Sequence, residues 1–216
     1  MAYQRLVLDP AAPSAVRHFV ERTIEDLYFS DVHAMLRLPL PDKNIMAGQN
    51  FSLTQVLMAV IGGVSTTLYD TKGKSGELFR GVVEEFFPWE EEPSNDMPPK
   101  AAAGIIYNVF RNPLTHAGGL FMDLRDEQRF LEQKNYSVKI MRCLSENNTI
   151  GHPEEWIEAL ERATKRPDMS PMLRIEKDKK VLLVEGLYWC VRRMIQKLSA
   201  NSARMARAER FLNAYI

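Results

Sequence analysis

The feature that most constrains the fold is a long apolar stripe in the segment "FSLTQVLMAVIGGVSTTLYD", residues 51–70. Its apolar residues recur every three or four positions, which is the spacing of one face of an α-helix. They are Leu53, Val56, Leu57, Val60, Ile61, Val64 and Leu68. A helix with such a stripe has to bury it against other elements, so we predict that residues 53–68 form a core helix.

Gly62 and Gly63 lie inside this predicted helix. A glycine in a helix interior costs roughly 1 kcal/mol relative to alanine. We interpret the two glycines as marking the close approach of another backbone, with a bound ligand as the alternative.

The rest of the chain predicts further helices and little strand. Ser14 is a suitable N-cap for a helix over residues 15–36, "AVRHFVERTIEDLYFSDVHAML". Its predicted buried stripe is Val16, Phe19, Val20, Thr23, Ile24 and Leu27. Further predicted helices are "ELFRGVVEEFF", "KAAAGIIYNVFR" with Pro99 in its first turn, "PEEWIEALERAT", "LYWCVRRMIQKL" and "ARMARAERFLNAY". The alternation around "EKDKK" predicts a hairpin near residues 172–184, and "YSVKIMRCL" has the character of a strand.

These patterns predict an all-α bundle with one small C-terminal β-hairpin. A chain of 216 residues suits one domain. We expect a single domain over residues 1–216, with a helical core at about 14–125. Residues 126–216 then form a C-terminal extension that carries the hairpin and two helices.

Composition limits the function more than it defines it. The formal net charge is zero, so no overall field attracts nucleic acid or anionic membrane. Cys143 and Cys190 lack metal-ligand or redox spacing, which favours free buried thiols in a reducing compartment. With no signal peptide and no run of 18 apolar residues, we expect a cytoplasmic protein and no membrane span. No metal-binding cluster and no phosphate-loop pattern occur, so we expect neither metal nor cofactor.

The segment "FRNPLTHAGG", residues 110–119, carries the main candidate site. Pro113 cannot donate a helical hydrogen bond and disfavours helical backbone at Asn112. We therefore predict that the preceding helix ends near Arg111 and that Asn112 caps a new turn holding His116. Such a break lets the Arg111 guanidinium and the His116 imidazole point into one cleft, where a phosphate can bind.

A second interpretation of the same residues stays open. An arginine followed by a histidine at this spacing is expected about once by chance in a chain of this composition. On that interpretation Arg111 pairs with an acidic neighbour at a helix end, and His116 is a satisfied polar residue on a turn.

The stretch "IIYNVFRNPLTHAGG" resembles the signature of the HEPN superfamily, small helical bundles with an Arg–polar–(x)3–5–His motif. The match covers Arg111, Asn112 and His116. The "YDTKGKSGELFR" turn and the "FFPWE" loop are also similar to uncharacterised bacterial members of this group. The likeness extends over about residues 14–125 and more weakly beyond. It implies a four- or five-helix bundle, frequent dimerisation and, in many members, metal-independent RNA cleavage.

These residue types suit that chemistry. RNA cleavage without metal uses the 2′-hydroxyl as nucleophile, while a histidine moves a proton and an arginine holds the phosphate oxygens. One histidine supplies only one of two proton transfers, so we expect a homodimer. The two hypotheses are a HEPN-type ribonuclease, serving defence or a toxin–antitoxin pair, and a non-catalytic helical protein binding RNA, a nucleotide or a protein partner such as an antitoxin.

Basic residues elsewhere supply candidate RNA contacts. Lys72, Lys74 and Arg80 lie near the predicted turn before a helix, with a solvated turn as the alternative. Arg192 and Arg193 begin a basic strip in the C-terminal helices that can track an RNA backbone. That strip can equally be a solvated helix face, or it can face the acidic stretch at residues 84–97.

Overall fold

The structure is a computed structural model that describes residues 3–38, 49–92, 97–112, 114, 137–142, 153–176 and 179–214. The described chain is mainly helical with one small sheet. The predicted helical character is confirmed. The all-α class is too narrow, because the hairpin belongs to a three-stranded sheet.

The first helical unit consists of α1 (Ser14–Phe19), a run of wide π-helical turns (Val20–Phe29) and α2 (Ser30–Arg37). The predicted stripe is wrong at Leu27, which is 60% exposed. In wide turns each N–H donates to the carbonyl five residues earlier, as the Ser30 N–H does to the Glu25 carbonyl. The residues that face the core therefore no longer follow the spacing of an α-helix. Phe29 and Glu25 are buried instead.

The predicted core helix is confirmed as α3 (Asn50–Val64), which continues in wide turns at Ser65–Tyr69. Its stripe is buried except at Val56, which is partly buried. Among the described residues, a Cβ built on Gly62 or Gly63 would meet no atom within 4 Å, so the close approach of another backbone predicted there is wrong. By length and composition Asn50–Tyr69 is apolar enough to cross a membrane, but half of that window is buried inside the protein.

Two helices follow the turn at residues 70–74. They are α4 (Ser75–Phe86) and α5 (Pro99–Ile105), the second continuing in wide turns at Ile106–Arg111. Pro99 lies in the first turn of α5, as predicted. Helix α4 packs against α5, α3 and the wide turns at both Ser65–Tyr69 and Ile106–Arg111.

The sheet contains β1 (Ser137–Met141), β2 (Leu173–Glu176) and β3 (Lys179–Leu183) in the order β1-β3-β2. Strands β2 and β3 form the predicted hairpin, in which Leu173 pairs with Leu182. Strand β1 confirms the strand expected in "YSVKIMRCL" and pairs parallel to β3, with Ile140 beside Leu182. That pairing brings together residues far apart in the chain, which the local pattern does not show.

The remaining helices are α6 (Pro153–Arg162), α7 (Val184–Ser199) and α8 (Ser202–Asn213). Helix α7 follows β3 directly and packs on α3 and α4, while α8 packs on α1 and on the Ser65–Tyr69 turns. The buried apolar cluster includes residues from Ala15 through Leu212. Residues of the predicted extension therefore contribute to the same core as α3. Cys190 is a buried free thiol, and Cys143 lies outside the described residues.

Candidate functional site

The structure describes only part of the predicted catalytic motif. His116 and Pro113 lie outside the described residues, whereas Arg111, Asn112 and Leu114 lie within them. The arrangement of Arg111 relative to His116 therefore stays a prediction.

The wide turns end at Arg111, as predicted, but the prediction that Asn112 is the N-cap of a new turn is wrong. Asn112 has helical dihedral angles, φ −62° and ψ −50°, and its N–H bonds to the Tyr107 carbonyl. Leu114 is also helical and buried, and its carbonyl accepts a hydrogen bond from Gln55 at 2.8 Å. Burying Phe110 and Leu114 stabilises the folded protein by about 1.5–3 kcal/mol each. This gain outweighs the preference of a residue before proline for extended backbone.

Arg111 ends the wide turns and is held by two neighbours. Its Nη1 donates to the Asn112 Oδ1 at 3.0 Å. Its guanidinium carbon lies 5.3 Å from the centroid of the Tyr107 ring. The side chain is half-buried, so the guanidinium is oriented by the protein and still reaches solvent.

A second arginine reaches the same ring from another helix. Arg80 projects from α4, and its guanidinium carbon lies 5.1 Å from the Tyr107 centroid. Each cation over the ring gains about 0.5–1 kcal/mol at an exposed site. The structure thus brings together Arg111 and Arg80, which were predicted separately as catalytic and RNA-binding. We call Arg80, Tyr107 and Arg111 the arginine–tyrosine cluster.

Tyr107 is held by close packing against α4. Its ring lies 5.4 Å from that of Phe79, tilted by 55°. A Cβ built on Gly76 of α4 would lie 2.7 Å from the Tyr107 Cζ, so a larger residue there would have to displace the ring. Sequence analysis missed Tyr107. Its position four residues before Arg111 on one helix was the available signal.

The two predicted lysines lie beside the start of α4. Lys72 and Lys74 are exposed in the turn that precedes Ser75, where the Lys72 N–H donates to the Asp70 carboxylate at 3.1 Å. Within the described part of the chain neither lysine takes part in an ion pair. Both ammonium groups are therefore available to an anionic partner near Gly76.

Arg192 and Arg193 lie among other elements. Arg192 is buried, with 4% exposure, and donates to the Tyr3 hydroxyl at 3.0 Å and the Gln4 carbonyl at 2.7 Å. Arg193 is half-buried, and its Nη2 lies 3.5 Å from the Glu91 carboxylate. An RNA phosphate has no access to the buried Arg192 guanidinium in this structure.

The basic strip and the acidic stretch face each other, which was one of the alternatives. Lys197 pairs with Glu90 at 2.5 Å and Arg204 with Glu85 at 2.7 Å. These contacts join the end of α4 and the following loop to α7 and α8. These ion pairs stabilise the fold, and they neutralise much of the positive charge with which the basic strip could bind RNA.

A buried polar network surrounds Arg192. The His33 Nδ1 lies 2.8 Å from the Glu161 Oε1, which also accepts from the Tyr188 hydroxyl at 2.9 Å. The Arg37 guanidinium donates to the His33 Nε2 at 3.3 Å, so Nδ1 carries the proton. Burial raises the pKa of Tyr188 well above its usual range. These groups are satisfied by one another, which fits a structural role.

Among the described residues, no group of three or more His, Cys, Asp or Glu side chains is arranged to hold a metal ion. Comparison with known proteins gave no match: no family model, no curated protein and no solved structure is similar to this chain.

Proposed function

We propose that this protein is a metal-independent endoribonuclease of the HEPN type, with the arginine–tyrosine cluster as its phosphate-binding site. The observation that carries the proposal is the convergence of Arg80 and Arg111 on the Tyr107 ring. The guanidinium carbons of Arg80 and Arg111 both lie within 5.3 Å of one ring centroid, and a phosphate bound at this cluster offsets the repulsion between their positive charges. Arginine presents forked donors that match phosphate oxygens.

In the proposed reaction the ribose 2′-oxygen attacks the adjacent phosphorus and the 5′-oxygen leaves. The products are a 2′,3′-cyclic phosphate and a 5′-hydroxyl. Arg111 stabilises the charge that builds on the non-bridging oxygens, and the hydrogen bond from Arg111 to Asn112 fixes its orientation. His116 transfers the proton, and Arg80, Lys72 and Lys74 hold the flanking backbone.

The reaction needs one group to remove the 2′-proton and another to protonate the leaving oxygen. Within one chain the motif offers one histidine, so we propose a homodimer in which two motifs share a cleft. Light scattering at micromolar concentration tests this directly, and a stable monomer contradicts it. In this proposal the enzyme acts in the cytoplasm in defence or as a toxin, and an antitoxin binds over the cluster.

One observation favours the non-catalytic alternative. Asn112 has helical dihedral angles, so the helical backbone of Arg111 continues into Asn112. In a continuous helix, residues five apart diverge by about 140° around the axis. If His116 faces away from Arg111 in both protomers, the cluster binds RNA without cleaving it.

The test is cleavage of end-labelled single-stranded RNA of mixed sequence in excess EDTA. We expect the wild type to cut, and His116→Ala and Arg111→Ala to lose on the order of 10² to 10⁴ in rate. Thermal unfolding shows whether each variant is folded. Equal cutting by wild type and His116→Ala overturns the catalytic proposal. RNA binding without cutting by folded wild type establishes the alternative.

A further inference from the structure

A cavity of about 250 Å³ lies between the N-terminal segment, the end of α6 and the middle of α7. No residue of the arginine–tyrosine cluster lines it. Its apolar wall contains Leu160 and Ala163, with Trp189 behind them. Two amide side chains, Gln4 and Gln196, also line it.

The lining is rich in arginine. Arg5, Arg162 and Arg193 come from three different elements, and buried Arg192 adds a fourth positive charge. Glu161 is the one acidic residue of the lining. Its carboxylate already accepts hydrogen bonds from Tyr188 and from the Gln4 N–H at 3.1 Å. The lining therefore contains four arginines and one carboxylate.

The carboxylates that pair with these arginines do not line the cavity. Asp26 lies 2.5 Å from Arg5, whereas the ion pairs of Arg162 and Arg193 are longer. Arg162 is 62% exposed and lies 3.4 Å from Glu158. Arg193 lies 3.5 Å from Glu91, and its buried Nε has no hydrogen-bond partner among the described residues. Long or exposed ion pairs contribute little to stability. A ligand anion can therefore replace these carboxylates as the ion-pair partner of the guanidinium groups without unfolding the site.

We infer that this cavity binds a small organic phosphate monoester. A phosphate monoester carries close to two negative charges and three acceptor oxygens, which matches several converging guanidinium groups better than a single carboxylate does. The cavity holds the volume of about eight water molecules, more than a phosphate group fills. The apolar wall and the amides accommodate the small organic body.

The direct test is calorimetric titration of the full-length protein with glycerol 3-phosphate, with glycerol as the uncharged control. We expect a Kd of about 1 mM or tighter for the phosphate ester and no binding of glycerol. The double variant Arg162→Gln/Arg193→Gln is expected to raise the Kd at least about tenfold, since it removes two charge-assisted contacts.

Two further variants make the result specific. Glu158→Gln removes the carboxylate that competes for Arg162, so it is expected to tighten binding. Arg22→Gln is the matched control, because exposed Arg22 pairs with Asp26 as Arg5 does but does not line the cavity. It is expected to leave the Kd unchanged.

Three outcomes overturn the inference. One is the absence of binding to folded wild type, and another is equal binding by the wild type and the double variant. The third is loss of binding in Arg111→Gln but not in the double variant, which means that the ester occupies the arginine–tyrosine cluster.

Discussion

Gly76 and Tyr107 touch so closely that no side chain fits between them. A Cβ at position 76 would lie 2.7 Å from the Tyr107 Cζ, whereas carbon atoms pack at about 3.5–4.0 Å. Tyr107 in turn lies under the guanidinium groups of Arg80 and Arg111. The missing side chain at position 76 therefore leaves room for the ring that both cations contact.

The first prediction concerns Gly76→Ala. The added methyl group displaces the Tyr107 ring and with it the two guanidinium groups. We expect the free energy of unfolding to fall by about 1–3 kcal/mol, as in other overpacked sites. We also expect single-stranded RNA to bind more weakly. Urea denaturation and fluorescence anisotropy measure the two effects.

Gly81→Ala is the matched control for that experiment. Gly81 lies on the same helix, and a Cβ there would lie 2.6 Å from the Tyr69 hydroxyl, whose ring is not part of the arginine–tyrosine cluster. It is expected to destabilise the protein to a similar extent and to leave RNA affinity unchanged. Equal loss of RNA affinity in both variants shows that destabilisation, and not displacement of Tyr107, is the cause.

The second prediction concerns the open glycine in α3. A Cβ at Gly63 meets no atom within 4 Å, so alanine removes the glycine penalty without a clash. We expect Gly63→Ala to raise the free energy of unfolding by about 0.5–1 kcal/mol. In Gly186→Ala the new Cβ lies 3.1 Å from the Met172 Cα, and no gain is expected there. Destabilisation by Gly63→Ala would mean that something packs on this face.

The third prediction compares how much stability is lost when each of two cationic residues of α7, Arg192 and Lys197, is replaced. Arg192 is buried and donates to Tyr3 and Gln4, so its replacement leaves buried polar groups unpaired. We expect Arg192→Gln to lower the free energy of unfolding by about 3–5 kcal/mol. Lys197 is 30% exposed and pairs with an exposed Glu90, so Lys197→Gln is expected to cost less than about 1 kcal/mol. Similar costs for the two variants contradict this description of the network.

The fourth prediction is a pH dependence from Glu25. Burial raises the pKa of its carboxyl above the ordinary value of 4.5, even though the Leu6 N–H donates to it at 3.0 Å. The folded protein therefore binds this proton more tightly than the unfolded chain does. This contribution to stability is fully present below pH 4.5 and is lost as the pH rises through the raised value.

Glu25→Gln keeps an acceptor for Leu6 and removes the buried charge. We expect its free energy of unfolding, relative to wild type, to increase as the pH rises from about 4 to about 7. Denaturation at several pH values measures the difference. A difference that stays constant over this range contradicts the raised pKa.

The sequence predicted the elements whose signals are local. The stripe of α3 and the alternation around the hairpin each lie within one short segment, and both are present in the structure. The wide turns at Val20–Phe29 and Ile106–Arg111 were missed, because an analysis based on 3.6 residues per turn cannot register a change of period. The exposure of Leu27 follows from the first of those turns.

The sequence predicted individual residues of the candidate site but not how they are arranged in space. Arg80 and Arg111 were both singled out, but their meeting at Tyr107 depends on how α4 packs against the Ile106–Arg111 turns. This packing of two elements depends on Gly76, and the spacing of residues within one segment does not show it. The same holds for Arg192, whose burial follows from the docking of the N-terminal segment on α7.

The central claim is that Arg80 and Arg111 together hold an RNA phosphate, and the salt dependence of RNA binding tests it most directly. The slope of log Kobs against log salt counts the phosphates neutralised, at about 0.7 for each on a single strand. We expect Arg80→Gln and Arg111→Gln each to weaken binding and reduce the slope, with no such change in Arg22→Gln. Slopes in both variants equal to that of the wild type would contradict the claim.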